Sequence, residues 1–439
     1  MEANWVKYLP GFIRAKLDNR PELQSVLANS SWLFADKILR LGVGLLISVW
    51  TARYLGPEQF GLMNYAVAIV ALFAGISTSG LDGVVVRELV KKKYPSDVLL
   101  GSACLLQLCG GFISFIIAVI LVKMVRPNDI LVQAMVALLA AAFFFKPVEI
   151  IRYWFESKLE SRCTVFVENA VFVFFAAIKL LLIAKQAAIL YFVAALLGES
   201  VLVAGGFLWI YRNRGGIFSK WTVNFSCVNF LLKSAWPLVL SSSFVLINMN
   251  LDKILLGELA TEHDVGLYSV ALSLVGALYF LPVIIGASIV PGLTKLYASD
   301  KLGYKKQVNT IYRYSFFVTV AIALLISVFS SSIIQIMYGD RYSGANHVLA
   351  ISAISIVFVS QISLRGRLLI IEGNEKYLAL FVFLGAVLNA IINFITIPVY
   401  GAVGAALAYT TSWAASALVF PFFFKTTRLH GLLMYGSKV

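Results

Sequence analysis

Val98–Val122 reads VLLGSACLLQLCGGFISFIIAVILV, twenty-five residues without one charged side chain. A surface helix of a soluble protein needs a polar face, whereas crossing a hydrocarbon core about 30 Å thick takes about 20 predominantly apolar residues at about 1.5 Å each. The stretch is predicted to be a transmembrane helix. Working outward from it, two more such stretches precede, Ser30–Ala52 and Phe60–Leu81. Nine follow: Ile130–Ile150, Cys163–Ala184, Ala187–Ile210, Leu231–Leu251, Gly266–Val290, Thr310–Ser332, Val348–Ile371, Leu378–Pro398 and Ala402–Phe424. About twelve spans consume most of the 439 residues. The fold class is therefore all-α integral membrane, in keeping with 60% hydrophobic and 13% charged residues where a soluble domain carries about 25% charged.

This layout leaves no room for a soluble catalytic domain. Three histidines, His263, His347 and His430, are scattered without metal-ligand spacing, and Gly205-Gly206 lacks the Lys and Ser/Thr of a phosphate-binding loop. No metal, no cofactor and no enzymatic activity are expected. Residues 1–24, with Arg14, Lys16, Asp18, Arg20, Pro21 and Glu22, are too polar for the apolar core of a signal peptide, so insertion without cleavage is expected. Cys104, Cys109, Cys163 and Cys227 fall within spans or near their cytoplasmic ends and read as reduced thiols.

Orientation follows from the cations. With the amino terminus inside, one face receives about 23 of the 36 Lys and Arg residues and the other about six (Arg53, Lys123, Arg126, Lys185, Lys253, Arg341). Both termini are expected in the cytoplasm. The net charge of +14 is then a topology signal with some attraction to anionic lipid, and nucleic-acid binding is not needed to explain it.

A weak internal similarity suggests an even division of the chain, with chance recurrence of Gly and aliphatic residues as the alternative. Leu55-Gly56, Phe60-Gly61-Leu62, Ala66 and Val70 return as Leu256-Gly257, Val265-Gly266-Leu267, Ala271 and Val275. Six spans per copy restore the starting face, which implies two bundles of like orientation: a cytoplasmic segment 1–29, a first bundle 30–220, a second 221–424 and a tail 425–439. Pro282, between Gly276 and Gly286, removes a backbone donor inside the eighth span and marks a candidate hinge, with a static kink as the alternative.

A few ions inside the spans bear on function. Arg40 lies about ten residues into the first span, about 15 Å deep. Facing lipid there would cost at least about 2.5 kcal/mol, so it points into the bundle. Asp36, one turn earlier, is a possible counter-ion. Lys179 in the fifth span and Glu199 in the sixth can meet across adjacent helices, with Glu199 either a counter-ion or a proton-exchanging carboxylate. Arg365 and Arg367 end the tenth span; being two apart they point differently, so at most one easily joins Arg40, and the other snorkels to lipid phosphates. The uncharged Gln107, Asn248, Asn250, Asn389 and Asn393 are expected to bond helix to helix.

The run Ala52-Arg53-Tyr54-Leu55-Gly56-Pro57-Glu58-Gln59-Phe60-Gly61 resembles the signature of the Wzx-type polysaccharide biosynthesis flippases, relatives of the MATE transporters and lipid II flippases in the MOP superfamily. Asn250-Leu251-Asp252-Lys253-Ile254-Leu255-Leu256-Gly257 and Val265-Gly266-Leu267-Tyr268 are similarly typical. The resemblance implies a MATE-like, V-shaped pair of six-helix bundles in the bacterial inner membrane. It implies that an undecaprenyl-pyrophosphate-linked oligosaccharide, such as an O-antigen unit, is flipped from the cytoplasmic to the periplasmic leaflet by alternating access. Partners would be that substrate, membrane lipids and polysaccharide-assembly proteins. Arg40, Lys179 and one of Arg365 or Arg367 would supply the cations of a central cavity. Two alternatives stand beside this reading: a MATE-like drug or ion antiporter, and an integral-membrane polysaccharide polymerase or ligase.

Overall fold

The computed structural model describes residues 21–374, 376–424 and 427–428, and all regular structure among them is helical. In chain order the α-helices are α1 Pro21–Ala71, α2 Ala74–Ser77, α3 Asp82–Lys91, α4 Ser96–Val125, α5 Ile130–Ala140, α6 Ile150–Ser157, α7 Ser161–Ala184, α8 Ile189–Asn213, α9 Phe225–Leu259, α10 Glu262–Ala277, α11 Phe280–Ser299, α12 Lys301–Val328, α13 Ser330–Tyr338, α14 Ala345–Ile371 and α15 Lys376–Leu418. Eight helices among the described residues are long and apolar enough to cross a membrane, or nine when a bent pair counts as one span. This differs from about twelve because predicted spans merge or divide. Ser30–Ala52 runs on into the second span within α1, and Leu378–Pro398 and Ala402–Phe424 share the 43-residue α15.

Both long helices break at a glycine. Gly56 takes φ 73° and ψ 170°, a conformation that L side chains avoid, and Pro57 then opens the next segment, where its missing N–H is no loss. In α15 the break is Gly401, at φ 53° and ψ −129°. The new segment begins with Ala402 N–H donating to Asp264 Oδ1 at 3.1 Å, so a carboxylate from α10 caps it. The predicted eighth span is divided into α10 and α11. Leu278 and Tyr279 between them make 3₁₀-type bonds back to Val275 and Gly276. Pro282, third residue of α11, has no backbone N–H to donate to the Leu278 carbonyl, which accounts for the interruption. The side chains of Asp36 and Pro282 lie outside the described residues, as do segments 1–20 and 429–439.

Two compact units emerge. One contains the chain up to Ile47 and Phe73–Ser242, the other Ser48–Leu72 and the chain from Ser243 onward. In the first, Leu81, Val85, Leu99, Ile150, Tyr153 and Leu231 form a buried apolar cluster. In the second, Leu293, Val308, Tyr312, Leu364 and Leu368 do the same.

The second unit brings the two copies of the repeat face to face. A Cβ on Gly61 would strike the carbonyl of Glu262, and one on Gly266 would strike the carbonyl of Pro57. The offset is reciprocal: each glycine packs on the residue four before its counterpart. Small residues let helix backbones approach this closely, which is the usual basis of tight packing in membranes. Tyr65 Oη donates to Glu258 Oε1 at 2.5 Å beside the crossing, and Tyr342 Oη donates to the Ala52 carbonyl at 2.8 Å.

Candidate functional site

The first unit holds a pocket of about 450 Å³ whose lining includes Arg40, Lys146, Glu149, Arg152, Glu168 and Glu199. Arg40 reaches it from α1, where its guanidinium also lies 5.5 Å from the ring centre of Phe172. Glu168, two turns into α7, accepts from Arg40 Nη2 at 3.3 Å with one oxygen and faces Arg152 Nη1 at 3.9 Å with the other. Arg152 also lies 3.5 Å from Glu156 one turn along α6, yet its buried Nε makes no hydrogen bond among the described residues. Lys146 Nζ donates to Glu149 at 2.8 Å.

Arg40 is 34% exposed although it sits in an apolar helix, so it faces an accessible space rather than packed side chains. The lining carries three cations and three carboxylates and is charge-balanced. Ion pairs at 3.3–3.9 Å are long for charge-assisted hydrogen bonds, whose N···O distances run about 2.7–2.9 Å.

Lys179 and Glu199 meet across α7 and α8, with Nζ 3.5 Å from Oε2. Of the two, Glu199 lines the pocket. Arg365 and Arg367 belong to the other unit. Arg365 is 1% exposed, donates to the carbonyls of Ser416 at 2.8 Å and Ala417 at 3.1 Å, and lies 4.8 Å from the Phe381 ring centre. Those carbonyls end α15 and have no intrahelical partner, so Arg365 caps that helix and meets its negative dipole end. Arg367 borders a narrow apolar crevice with Ile289, Leu293, Val308 and Leu364.

Three residues at these sites carry little signal in the sequence. Arg152 lies just past the predicted span Ile130–Ile150, where a cation reads as a loop charge, and Glu168 is a single carboxylate inside the predicted span Cys163–Ala184. The third is Asp252, placed just past a predicted span end although α9 continues to Leu259. Asp252 is 1% exposed and accepts hydrogen bonds from Tyr268 Oη at 2.5 Å and Asn393 Nδ2 at 2.6 Å, with Asn389 joined to Asn393 at 3.0 Å. The helix-to-helix bonding expected of Asn389 and Asn393 is thus centred on a carboxylate. Replacing Asp252 by Leu would leave the Tyr268 hydroxyl without its acceptor, at about 1–3 kcal/mol, and would leave Asn393 Nδ2 with Asn389 Oδ1 alone. Thermal unfolding in detergent is expected to show a marked fall for Asp252→Leu and a small one for Asp252→Asn, which keeps an acceptor.

Comparison with known proteins gives this geometry a family. The model for "Polysaccharide biosynthesis protein" matches residues 26–297, more than half of the chain. A putative O-antigen transporter of Shigella flexneri is 23% identical over 90% of this chain and 96% of its own. Among solved structures, the lipid II flippase MurJ in an inward closed conformation aligns with a TM-score of 0.69 and 16% identity over 94% of this chain and 88% of its own. An inward-facing MATE family multidrug transporter of the MOP superfamily aligns at 0.71 and 13% over 91% and 96%. The structural likenesses establish the fold, and the matching family model establishes the kinship. The chain is a multi-pass membrane protein with a fold like that of MurJ and of the MATE transporter, and it belongs to the polysaccharide biosynthesis protein family.

Proposed function

We propose that this protein flips an undecaprenyl-pyrophosphate-linked oligosaccharide from the cytoplasmic to the periplasmic leaflet of a bacterial inner membrane by alternating access, with segments 30–220 and 221–424 acting as its two halves and both termini cytoplasmic. The observation that carries this reading is Glu168 held between Arg40 and Arg152 in an accessible pocket. A pyrophosphate head cannot cross hydrocarbon unaided and needs guanidinium partners in a polar space. Two Arg side chains facing one carboxylate match the fork geometry that binds phosphate bidentately. The charge balance of the resting pocket fits as well: Glu168 occupies the place of the anion until a phosphate displaces it, so the cations are never left bare in a low-dielectric setting. Lys179 adds a cation one helix face away, released when Glu199 changes its protonation or partner. Arg367 is a further candidate cation for the substrate, and Arg365 holds the end of α15 in place.

Ion coupling is assigned to carboxylates held in the helices, Glu199 opposite Lys179 and Asp252 among Tyr268 and Asn393, with Asp36 as a counter-ion of the first span. Pro282 marks the hinge. The name of the Shigella relative supports an O-antigen-type cargo for this chain too.

The test is a vesicle assay in which the purified protein is reconstituted with a fluorescent polyprenyl-pyrophosphate oligosaccharide and the label accessible from outside is followed over time. Protein-dependent movement of that lipid, and none of the same polyprenyl chain lacking the pyrophosphate sugar, is the expected result. The second reading, a MATE-like exporter of organic cations, is favoured by Glu149, Glu168 and Glu199 in the pocket. Cation-driven efflux of a dye from the same vesicles, without lipid movement, would decide for it.

A further inference from the structure

At the ends of α7 and α8 the first unit carries a second groove, of about 410 Å³, away from the ion pairs above. Its lining includes Arg162, Cys163 and Phe166 from the first turns of α7, and Trp209, Asn213 and Arg214 from the end of α8. Two features separate it from the pocket at Glu168. The described lining has two guanidinium groups and no carboxylate, so its charge is positive where the other is balanced. Its rings are also turned outward: Phe166 is 71% exposed and Trp209 is 65% exposed.

The spacing gives those features a direction. Arg162 and Phe166 are one helical turn apart on α7, and Trp209 and Asn213 are one turn apart on α8. Because α7 enters the membrane where α8 leaves it, both polar groups stand at the end of the helices and both rings lie one turn deeper, about 5–6 Å toward the hydrocarbon. Polar heads above and aromatic faces below, repeated on two antiparallel helices, form a surface for an amphiphile with an anionic head and an apolar chain. Tryptophan at the interface with arginine above it is also the arrangement that anchors helix ends at headgroup depth. Arg214 Nη2 lies 3.7 Å from Cys163 Sγ, a weak acceptor, so the guanidinium spans the groove while retaining donors for a stronger one. A free phosphate would use the arginines and leave the two rings in contact with nothing of their own polarity.

We propose that this groove binds an anionic phospholipid of the cytoplasmic leaflet, its phosphate between Arg162 and Arg214 and its acyl chain across Phe166 and Trp209. The bound lipid ties the cytoplasmic ends of α7 and α8 together and does so independently of what the protein transports.

The test is native mass spectrometry of the full chain released from vesicles of phosphatidylcholine containing a minor fraction of phosphatidylglycerol. The wild type is expected to retain phosphatidylglycerol well above its share of the membrane. Arg162→Ala/Arg214→Ala should lower that retention by about tenfold or more, as loss of charge-assisted hydrogen bonds implies. Phe166→Ala/Trp209→Ala should lower it as well, whereas Lys305→Ala/Lys306→Ala, with the same change in net charge, should not. Excess inorganic phosphate should leave retention unchanged. Equal retention of the two lipids by the wild type, which requires no variant to fold, would overturn the proposal. Displacement by inorganic phosphate, or preference for a polyprenyl pyrophosphate over phosphatidylglycerol, would overturn it too, the latter by making the groove a substrate site. A flipping assay that fails while the lipid is still retained would count against the transport reading alone.

Discussion

Arg40→Ala is expected to reduce flipping of a pyrophosphate-linked oligosaccharide by at least about tenfold while membrane insertion and yield stay at wild-type levels. A hydrogen bond to a charged group contributes about 1.5–3 kcal/mol, and about 1.4 kcal/mol is a factor of ten. The side chain is one-third exposed and its ion partner Glu168 keeps Arg152 nearby, so its removal strands no buried charge. Insertion and folding are therefore expected to survive. Arg40→Lys should retain part of the activity if charge alone matters and little if a bidentate fork is required. Glu168→Gln should tighten lipid binding while slowing turnover, because the resident anion that helps to eject the phosphate is gone. Lys179→Ala should also abolish transport, through loss of the charge opposite Glu199. Normal flipping by both Arg40→Ala and Lys179→Ala in the vesicle assay would sink the assignment of these cations to the substrate.

Gly266→Leu and Gly61→Leu are expected to produce the largest losses of stability in the protein. At each position even the first carbon of a side chain would overlap a backbone carbonyl of the other repeat copy, and a backbone cannot turn aside as a flexible side chain can. Overpacking typically costs about 1–3 kcal/mol and more where the neighbour is rigid. The helices would have to separate, which also withdraws Tyr65 from Glu258. Gly276, with nothing within 4 Å of an added Cβ, supplies the control, and Gly276→Ala should unfold at the wild-type temperature. Thermal unfolding in detergent measures all three, and a Gly266→Leu protein as stable as Gly276→Ala would refute the close crossing.

Much of this was legible beforehand because the bilayer imposes a simple rule. A helix in hydrocarbon satisfies its own backbone, so a run such as Val98–Val122 reveals its conformation and surroundings from composition alone. The same rule made Arg40, Lys179 and Glu199 stand out, since ions inside such runs are costly, and the meeting of Lys179 with Glu199 followed from adjacency of their helices. Span ends were less legible. Asp252 was left outside the seventh span because hydropathy falls there, although α9 continues for seven more residues. Continuity through Gly56 and Gly401 was equally hidden, since glycine marks a turn as readily as a kink.

Composition and periodicity by themselves determined that this chain is helical, membrane-embedded and provided with a few intramembrane ions, because each of those follows from the cost of polarity in lipid. Tertiary structure alone decided the partners of Arg40 and Arg365. Glu168 stands between Arg40 and Arg152, more than 100 residues from the one and 16 from the other, and Arg365 is spent on the end of α15. Pairing of that kind depends on helix rotation and crossing, which are set by packing such as the reciprocal seating of Gly61 and Gly266, and no local pattern encodes it.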